Sequence, residues 1–139
     1  MEENHDSRNF SGEQKIQLLD SAIGRSVMVK PLVVYCGLGR EEAARLRNCK
    51  PGDIYMPRQF VSTSRSIDIA YAYCRGHGGI IIEAKTKAFA RGIIFGDVHY
   101  EDEVALPRAT QFKVLNIVYD VDKMGESIIR YICEANDGN

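Results

Sequence analysis

The chain has 139 residues, of which 45% are hydrophobic and 27% are charged, and 18 basic and 19 acidic side chains give a formal net charge of -1. This composition is typical of one soluble globular domain and excludes an intrinsically disordered or fibrous chain, and the balanced charge gives no indication of nucleic acid as a partner. No segment approaches the about 18 apolar residues of a membrane span, and the polar start MEENHDSRNFSGEQK has no signal peptide, so we expect a cytoplasmic protein without a membrane span.

The first part of the chain is predicted to contain two helices and one strand. Residues 1–11 are expected to form a flexible lead, and residues 12–139 a single domain. Ser11 is a candidate N-cap for a helix over residues 12–25, with Gln14 as its capping-box partner. The elements expected next are a strand at Leu32–Cys36, a helix at Glu41–Arg47 and a turn at Lys50–Asp53.

The second part is predicted to be mostly strands. A strand at Phe60–Ser64 leads into a helix at Ile67–Tyr73, which a group of glycines ends. Because helices come early and strands late, the pattern predicts an α+β domain rather than alternating βαβ units. The further strands expected are Ile80–Ala84, Ile93–Phe95, Glu101–Leu106, Phe112–Tyr119 and Ser127–Cys133.

The cysteine spacing gives no indication of a metal site. The four cysteines include no Cys-x-x-Cys pair, and the chain has only three histidines. We therefore predict free thiols in a reducing compartment and no bound metal. These cysteines are Cys36, Cys49, Cys74 and Cys133.

Two polar clusters are candidates for chemistry. Glu101 and Glu103 would lie on one face of a strand, about 6.6 Å apart along it, where like charges separate their pKa values. The alternative is a charged strand edge that discourages aggregation. Ser62 and Ser64 also share a face and would orient a carboxylate by hydrogen bonds, or else Ser64 or Ser66 caps the following helix.

Two glycine-rich segments were considered as nucleotide-binding loops. Gly37-x-Gly39 follows a strand, but Glu42 occupies the third glycine position of a dinucleotide fingerprint and no acidic strand end follows, so that interpretation is rejected. In the segment Arg75–Gly79, His77 is interpreted as a solvated turn histidine, with a phosphate contact by Arg75 as the alternative.

Several of these sequence motifs occur in the same order as in a known protein family, which the chain therefore resembles. The resemblance runs from about Leu32 to Val118, and it is to the ADP-ribosyltransferases of the Arg–Ser–Glu class, which include bacterial toxins, phage enzymes and vertebrate cell-surface enzymes. The matching pieces are Tyr35-Cys36-Gly37, the turn Lys50–Asp53, the aromatic-x-Ser-Thr-Ser strand Phe60–Ser64, the helix Ile67–Tyr73, the Glu-x-Glu strand with its Val-x-Leu-Pro continuation Glu101–Pro107, and the strand Phe112–Val114.

This resemblance implies a fold and an activity. The fold would be α+β, with two small, packed, antiparallel-rich sheets around an NAD cleft and a few flanking helices. The activity would be transfer of ADP-ribose from NAD, as substrate, to an arginine of a target protein, with release of nicotinamide. A monomer acting in the cytoplasm, or in a host cytosol after delivery without a classical signal peptide, is expected.

The resemblance also implies roles for individual residues. Glu103 would hydrogen-bond the ribose 2'-hydroxyl and stabilise an oxocarbenium-like transition state, Ser62 would hold Glu103, and Glu101 would orient the acceptor guanidinium and take its proton. The residues expected to contact NAD are Cys36, Gly37, Ser62, Thr63, Ser64 and Glu103. The residues expected in the target-recognition loop are Phe95, His99 and Tyr100.

The chain departs from the family at one position. Cys36 occupies the place of the family's arginine, which is thought to grip the dinucleotide phosphates. Two alternatives to protein-arginine ADP-ribosylation therefore stay open. One is a weak or inactive relative that presents the loop Phe95–Tyr100 to a partner, and the other is an NAD glycohydrolase, in which water replaces the acceptor.

Overall fold

A computed structural model describes residues 17–18, 20–23, 25–58, 61–95 and 103–136. Residues 20–23 are helical, and two further helices are α1 (Arg40–Leu46) and α2 (Ile67–Cys74). No helix in these ranges is long and apolar enough to cross a lipid bilayer. The strands are β1 (Val27–Met28), β2 (Val33–Gly37), β3 (Ile54–Tyr55), β4 (Val61–Ser64), β5 (Ile80–Lys85), β6 (Ala90–Arg91), β7 (Ile93–Phe95), β8 (Glu103–Leu106), β9 (Gln111–Val121) and β10 (Ser127–Asn136).

The α+β class predicted from the sequence is confirmed. Each predicted strand has a counterpart, and the helix predicted at Ile67–Tyr73 extends by one residue to Cys74. Three two-residue strands, β1, β3 and β6, were not predicted, because so short a strand is defined by its partner rather than by its own pattern. The flexible lead, half of the predicted first helix and residues 96–102 lie outside the described residues.

The long strands form one curled eight-stranded sheet with two parts. Its order is β3-β9-β10-β5-β2-β4-β8-β7, and β1 pairs separately with β6. All pairings are antiparallel except that of β10 with β5. The strands β2 and β4 meet at a single pair, Tyr35 with Ser64, so the sheet has a five-stranded and a three-stranded part with this pair between them.

The strand β5 is buried on both faces of the sheet. Ile80 and Ile82 belong to the main core, whereas Ile81 belongs to a second cluster with Ala70 and Cys74 of α2. All three isoleucines are 1% exposed or less. This double burial explains why β5 is a continuous apolar run rather than an alternating one.

The end of α2 is anchored to the turn between β9 and β10. Arg75, which follows α2, donates from Nη2 and Nε to Asp122 Oδ2 at 3.1 and 3.3 Å. Asp122 also accepts from the backbone N–H groups of Met124 and Glu126, at 2.8 and 3.0 Å, and it is buried. The phosphate contact considered for Arg75 therefore has no support, because its guanidinium is engaged in this ion pair.

This anchor predicts a pH-dependent stability. Burial raises the pKa of Asp122, but the hydrogen bonds from Glu126 and Arg75 outweigh it, and the net pKa lies below the ordinary value. The carboxylate therefore stabilises the fold above its unfolded pKa of about 3.9, and the contribution is lost as the pH falls through the lower folded value. Asp122→Asn should lower the thermal unfolding midpoint at pH 7, and this deficit should begin to shrink as the pH falls below about 3.9, so that it is smaller at pH 3.

The matched control is Asp68→Asn, which removes an exposed ion pair with Lys123. An exposed pair contributes little, so this variant should unfold close to the wild type at both pH values. A deficit for Asp122→Asn that is equally large at pH 7 and pH 3 would contradict the prediction.

Candidate active site

A cleft of about 350 Å³ lies where β2 and β4 meet. Its walls come from the end of β2, the start of α1, the strand β4 and one side of α2. This volume is within the range of about 300–1,000 Å³ that is typical of small-molecule sites. The lining residues are Tyr35, Cys36, Gly37, Leu38, Gly39, Glu42, Pro57, Ser62, Thr63, Ser64, Ile69, Ala70, Tyr73, Ile82 and Glu103.

The structure brings Ser62 and Glu103 together on the cleft wall. Antiparallel pairing of β4 and β8 places Ser64 opposite Glu103 and Ser62 opposite Ala105, so Ser62 and Glu103 are diagonal neighbours on one face. Ser62 Oγ donates a hydrogen bond to Glu103 Oε2. Both side chains are exposed to the cleft and to solvent, which leaves the second carboxylate oxygen accessible to a ligand.

The hydroxyls of Thr63 and Ser64 are used within the protein. Thr63 is 3% exposed, and its Oγ1 donates to the carbonyl oxygen of Val104 at 2.8 Å. Ser64 Oγ accepts from the backbone N–H of Ser66 at 2.9 Å, immediately before α2. Ser66 is the N-cap of α2 but makes no side-chain capping bond, so of the two capping candidates it is Ser64 whose side chain supports the helix start.

Cys36 and Gly37 line the opposite wall, at the end of β2. Burial, and secondarily the negative charge of Glu42, raise the pKa of the Cys36 thiol to about 12. Gly37 packs directly on α2, because a Cβ there would lie 2.3 Å from the carbonyl oxygen of Ala70. No side chain other than hydrogen therefore fits at position 37 without moving α2 away from β2.

Glu42 of α1 is a cleft residue for which the sequence analysis predicted no role in the site. Its Oε1 accepts from the Tyr55 hydroxyl and, at 2.6 Å, from Arg45 Nη1, and its Oε2 accepts from the backbone N–H of Arg58 at 3.3 Å. The Arg45 guanidinium also lies 5.3 Å from the Tyr55 ring centre. The wall beside Cys36 thus carries a carboxylate that accepts hydrogen bonds from a tyrosine hydroxyl, a guanidinium group and a backbone N–H group.

The predicted target-recognition loop is only partly described. Phe95 ends β7, pairs with Glu103 across the sheet and is 45% exposed. His99, Tyr100 and Glu101 lie outside the described residues. The described chain stops at Phe95 and resumes at Glu103, which pair with each other across the sheet, and the roles of His99, Tyr100 and Glu101 stay predictions.

Comparisons with known proteins match the chain to one family model and to several solved structures. The family model described as ADP-ribosyltransferase exoenzyme matches residues 1–132. A comparison with curated proteins gives no significant match.

Solved structures with a similar fold are ADP-ribosyltransferase toxins. C3larvin from Paenibacillus larvae aligns with a TM-score of 0.67 and 21% identity, covering 89% of this chain and 76% of that chain. The toxin BECa of a binary enterotoxin of C. perfringens, solved with NADH, aligns with a TM-score of 0.70 and 14% identity over 98% of this chain and 37% of that chain. The component C2-I of the C2 toxin from Clostridium botulinum aligns with a TM-score of 0.67 and 10% identity, covering 88% of this chain and 32% of that chain. The predicted ADP-ribosyltransferase-like fold is confirmed.

The surroundings of Cys36 predict an unreactive thiol. Because burial raises the pKa of this thiol to about 12, very little of it is thiolate at pH 8, so alkylation by iodoacetamide should be much slower than for an ordinary exposed cysteine. Glu42→Gln removes the negative charge beside the thiol and should accelerate the alkylation, measured at this cysteine by peptide mass spectrometry. Glu41→Gln, on the adjacent exposed position, is the control and should leave the rate unchanged. Equal rates in the two variants would show that Glu42 does not act on Cys36.

Proposed function

The chain belongs to the ADP-ribosyltransferase exoenzyme family, and we propose that it transfers ADP-ribose from NAD to an arginine side chain of a target protein. Nicotinamide is released in this reaction, and the protein acts as a monomer on its target. The observation that carries the proposal is the hydrogen bond from Ser62 to Glu103 on the wall of an open cleft.

Glu103 is proposed to stabilise the charge that develops during the reaction. As the bond between ribose and nicotinamide breaks, its electron pair leaves with nicotinamide and positive charge grows on the ribose ring. The carboxylate of Glu103 accepts a hydrogen bond from the 2'-hydroxyl, and this bond strengthens as the charge grows. Ser62 restricts the rotation of Glu103, so that the carboxylate is already oriented before the bond breaks.

Glu101 is proposed to act on the acceptor rather than on NAD. A guanidinium nitrogen forms the new bond to the ribose carbon, and its proton must leave during the attack because the pKa of a free guanidinium lies above about 12. Glu101 stands two residues before Glu103 and orients the guanidinium and accepts this proton. The loop with Phe95, His99 and Tyr100 recognises the surrounding protein surface.

The cleft suits one half of NAD better than the other. Leu38, Pro57, Ile69 and Tyr73 offer apolar and aromatic surface for the nicotinamide ring close to the Ser62–Glu103 pair. The described residues that line the cleft include no lysine or arginine that could contact a diphosphate, and beside Cys36 the thiol is uncharged and Glu42 is a carboxylate. The nicotinamide-ribose half therefore fits this cleft, whereas the diphosphate requires cations from elsewhere.

A second candidate function is a weak or inactive relative that binds a partner through the loop after Phe95. Cys36 and Glu42 favour this second function, because Cys36 replaces a charged phosphate contact and Glu42 adds a negative charge to the cleft wall. A lost charged hydrogen bond lowers affinity by about tenfold to a hundredfold. Incubation with labelled NAD and an arginine-rich acceptor separates the candidates, since a transferase labels the acceptor and an inactive relative does not.

The role of Glu103 predicts a large loss of activity on neutralisation. Glu103→Gln should lower the rate of nicotinamide release by about 10²-fold or more, equivalent to roughly 3 kcal/mol, if Glu103 supplies a preorganised charge contact. Glu134→Gln on β10, an exposed glutamate outside the cleft, is the matched control and should retain the wild-type rate. A retained rate in Glu103→Gln would remove this residue from the mechanism.

The separate roles proposed for Glu101 and Glu103 predict that transfer to arginine can be lost while nicotinamide release is retained. Glu101→Gln should reduce transfer to arginine by at least about tenfold while nicotinamide release with water as acceptor continues, because only the acceptor loses its base. Acceptor labelling and nicotinamide release are measured in the same reaction. Equal losses in both readouts would show that Glu101 and Glu103 do not have separate roles.

A further inference from the structure

We propose that a basic groove next to the cleft binds the diphosphate of NAD in place of the missing contact at Cys36. The groove has a volume of about 260 Å³ and lies between α1 and the glycine-rich loop after α2. It is lined by Arg40, Ala43, Ala44, Arg47, Gly76, His77 and Gly78. This inference rests on the proposed function, because it assigns the diphosphate to the substrate of the same site.

Two arginines of α1 point across the groove. Arg40 and Arg47 are about two helical turns apart and therefore lie on the same side of α1. Arg40 Nη2 donates to the carbonyl oxygen of Gly76 and Arg47 Nη2 to that of Gly78, both at 3.2 Å. Gly78 has a φ of 113°, a conformation that L side chains rarely adopt, so its backbone bends in a way that favours glycine.

The groove retains unused positive charge. A guanidinium has five N–H donors, and each of these hydrogen bonds occupies one of them. In the described ranges neither Arg40 nor Arg47 forms an ion pair with a carboxylate, and no acidic residue lines the groove. Both side chains are exposed, and His77 adds a ring N–H donor. The planar guanidinium of an arginine binds phosphate oxygens through two parallel, charge-assisted hydrogen bonds.

The groove adjoins the cleft at two points. Gly39 lines the cleft and the next residue, Arg40, lines the groove. Tyr73 lines the cleft, and its ring centre lies 5.8 Å from that of His77, which lines the groove. A dinucleotide with its nicotinamide ribose at Glu103 can therefore continue past Tyr73 toward Arg40.

The charges of the two regions favour this direction. A diphosphate directed toward Cys36 would approach the Glu42 carboxylate, which repels it even though Arg45 offsets part of the charge. A diphosphate directed toward Arg40 meets two guanidinium groups. The diphosphate of the substrate is thus bound at the rim, outside the apolar part of the cleft.

The test measures binding rather than activity. Isothermal titration of the full chain with NAD and with inorganic diphosphate is carried out for the wild type, Arg40→Gln and Arg47→Gln. Each variant should weaken NAD binding by about tenfold to a hundredfold, and Arg40→Lys should recover part of the loss. Arg25→Gln, at an exposed arginine whose guanidinium donates to Ser21 Oγ, is the matched control and should bind like the wild type. Thermal unfolding of every variant confirms that it is folded.

Each outcome separates this inference from the proposed function. NAD binding that is the same in Arg40→Gln, Arg47→Gln and the control overturns the groove and leaves the proposed function standing. If the wild type binds inorganic diphosphate through these arginines but does not bind NAD, the proposed function fails and the groove takes the diphosphate of another compound. A wild type that binds neither ligand overturns both.

Discussion

The alignment of β4 against β8 is the constraint on which the candidate site depends. With Ser64 opposite Glu103, alternate residues point to opposite faces, so Ser62 and Glu103 face the cleft while Val104 is fully buried. A shift by one residue would exchange these faces and bury Glu103 in the core. The buried hydrogen bond from Thr63 to the backbone of Val104 stabilises the observed alignment. The exposed Ser62–Glu103 pair is therefore positioned by its buried neighbours.

The chemistry of the opposite wall follows from one residue, Cys36. A thiol is too short and uncharged to take over the phosphate contact of an arginine, and burial keeps it protonated. Glu42 beside it is held by Tyr55 and Arg45, which joins α1 to β3. These contacts stabilise the cleft wall within the protein, and the described residues that line the cleft include no lysine or arginine.

Strand alternation predicts which residues share a face, but it does not predict that Ser62 meets Glu103, because the two belong to different strands. That pairing was implied by the resemblance to the ADP-ribosyltransferases, and the structure places the two side chains in contact. Glu42 was read only as a break in a glycine motif, because its contact with Tyr55 joins a helix to a two-residue strand and is decided by tertiary packing. The ion pair of Arg75 could not be predicted for a similar reason, since its partner Asp122 is 47 residues away.

The position of α2 connects stability with the shape of the site. This helix supplies Ile69, Ala70 and Tyr73 to the cleft, and its contact with Gly37 leaves no room for a side chain between it and β2. Its end is held by the ion pair of Arg75 with the buried Asp122, outside the cleft. Because a close-packed interface transmits small displacements instead of absorbing them, loosening that ion pair would shift Tyr73 relative to Arg40 and Glu103. The distance between the cleft and the basic groove is therefore set partly by a carboxylate that lines neither of them.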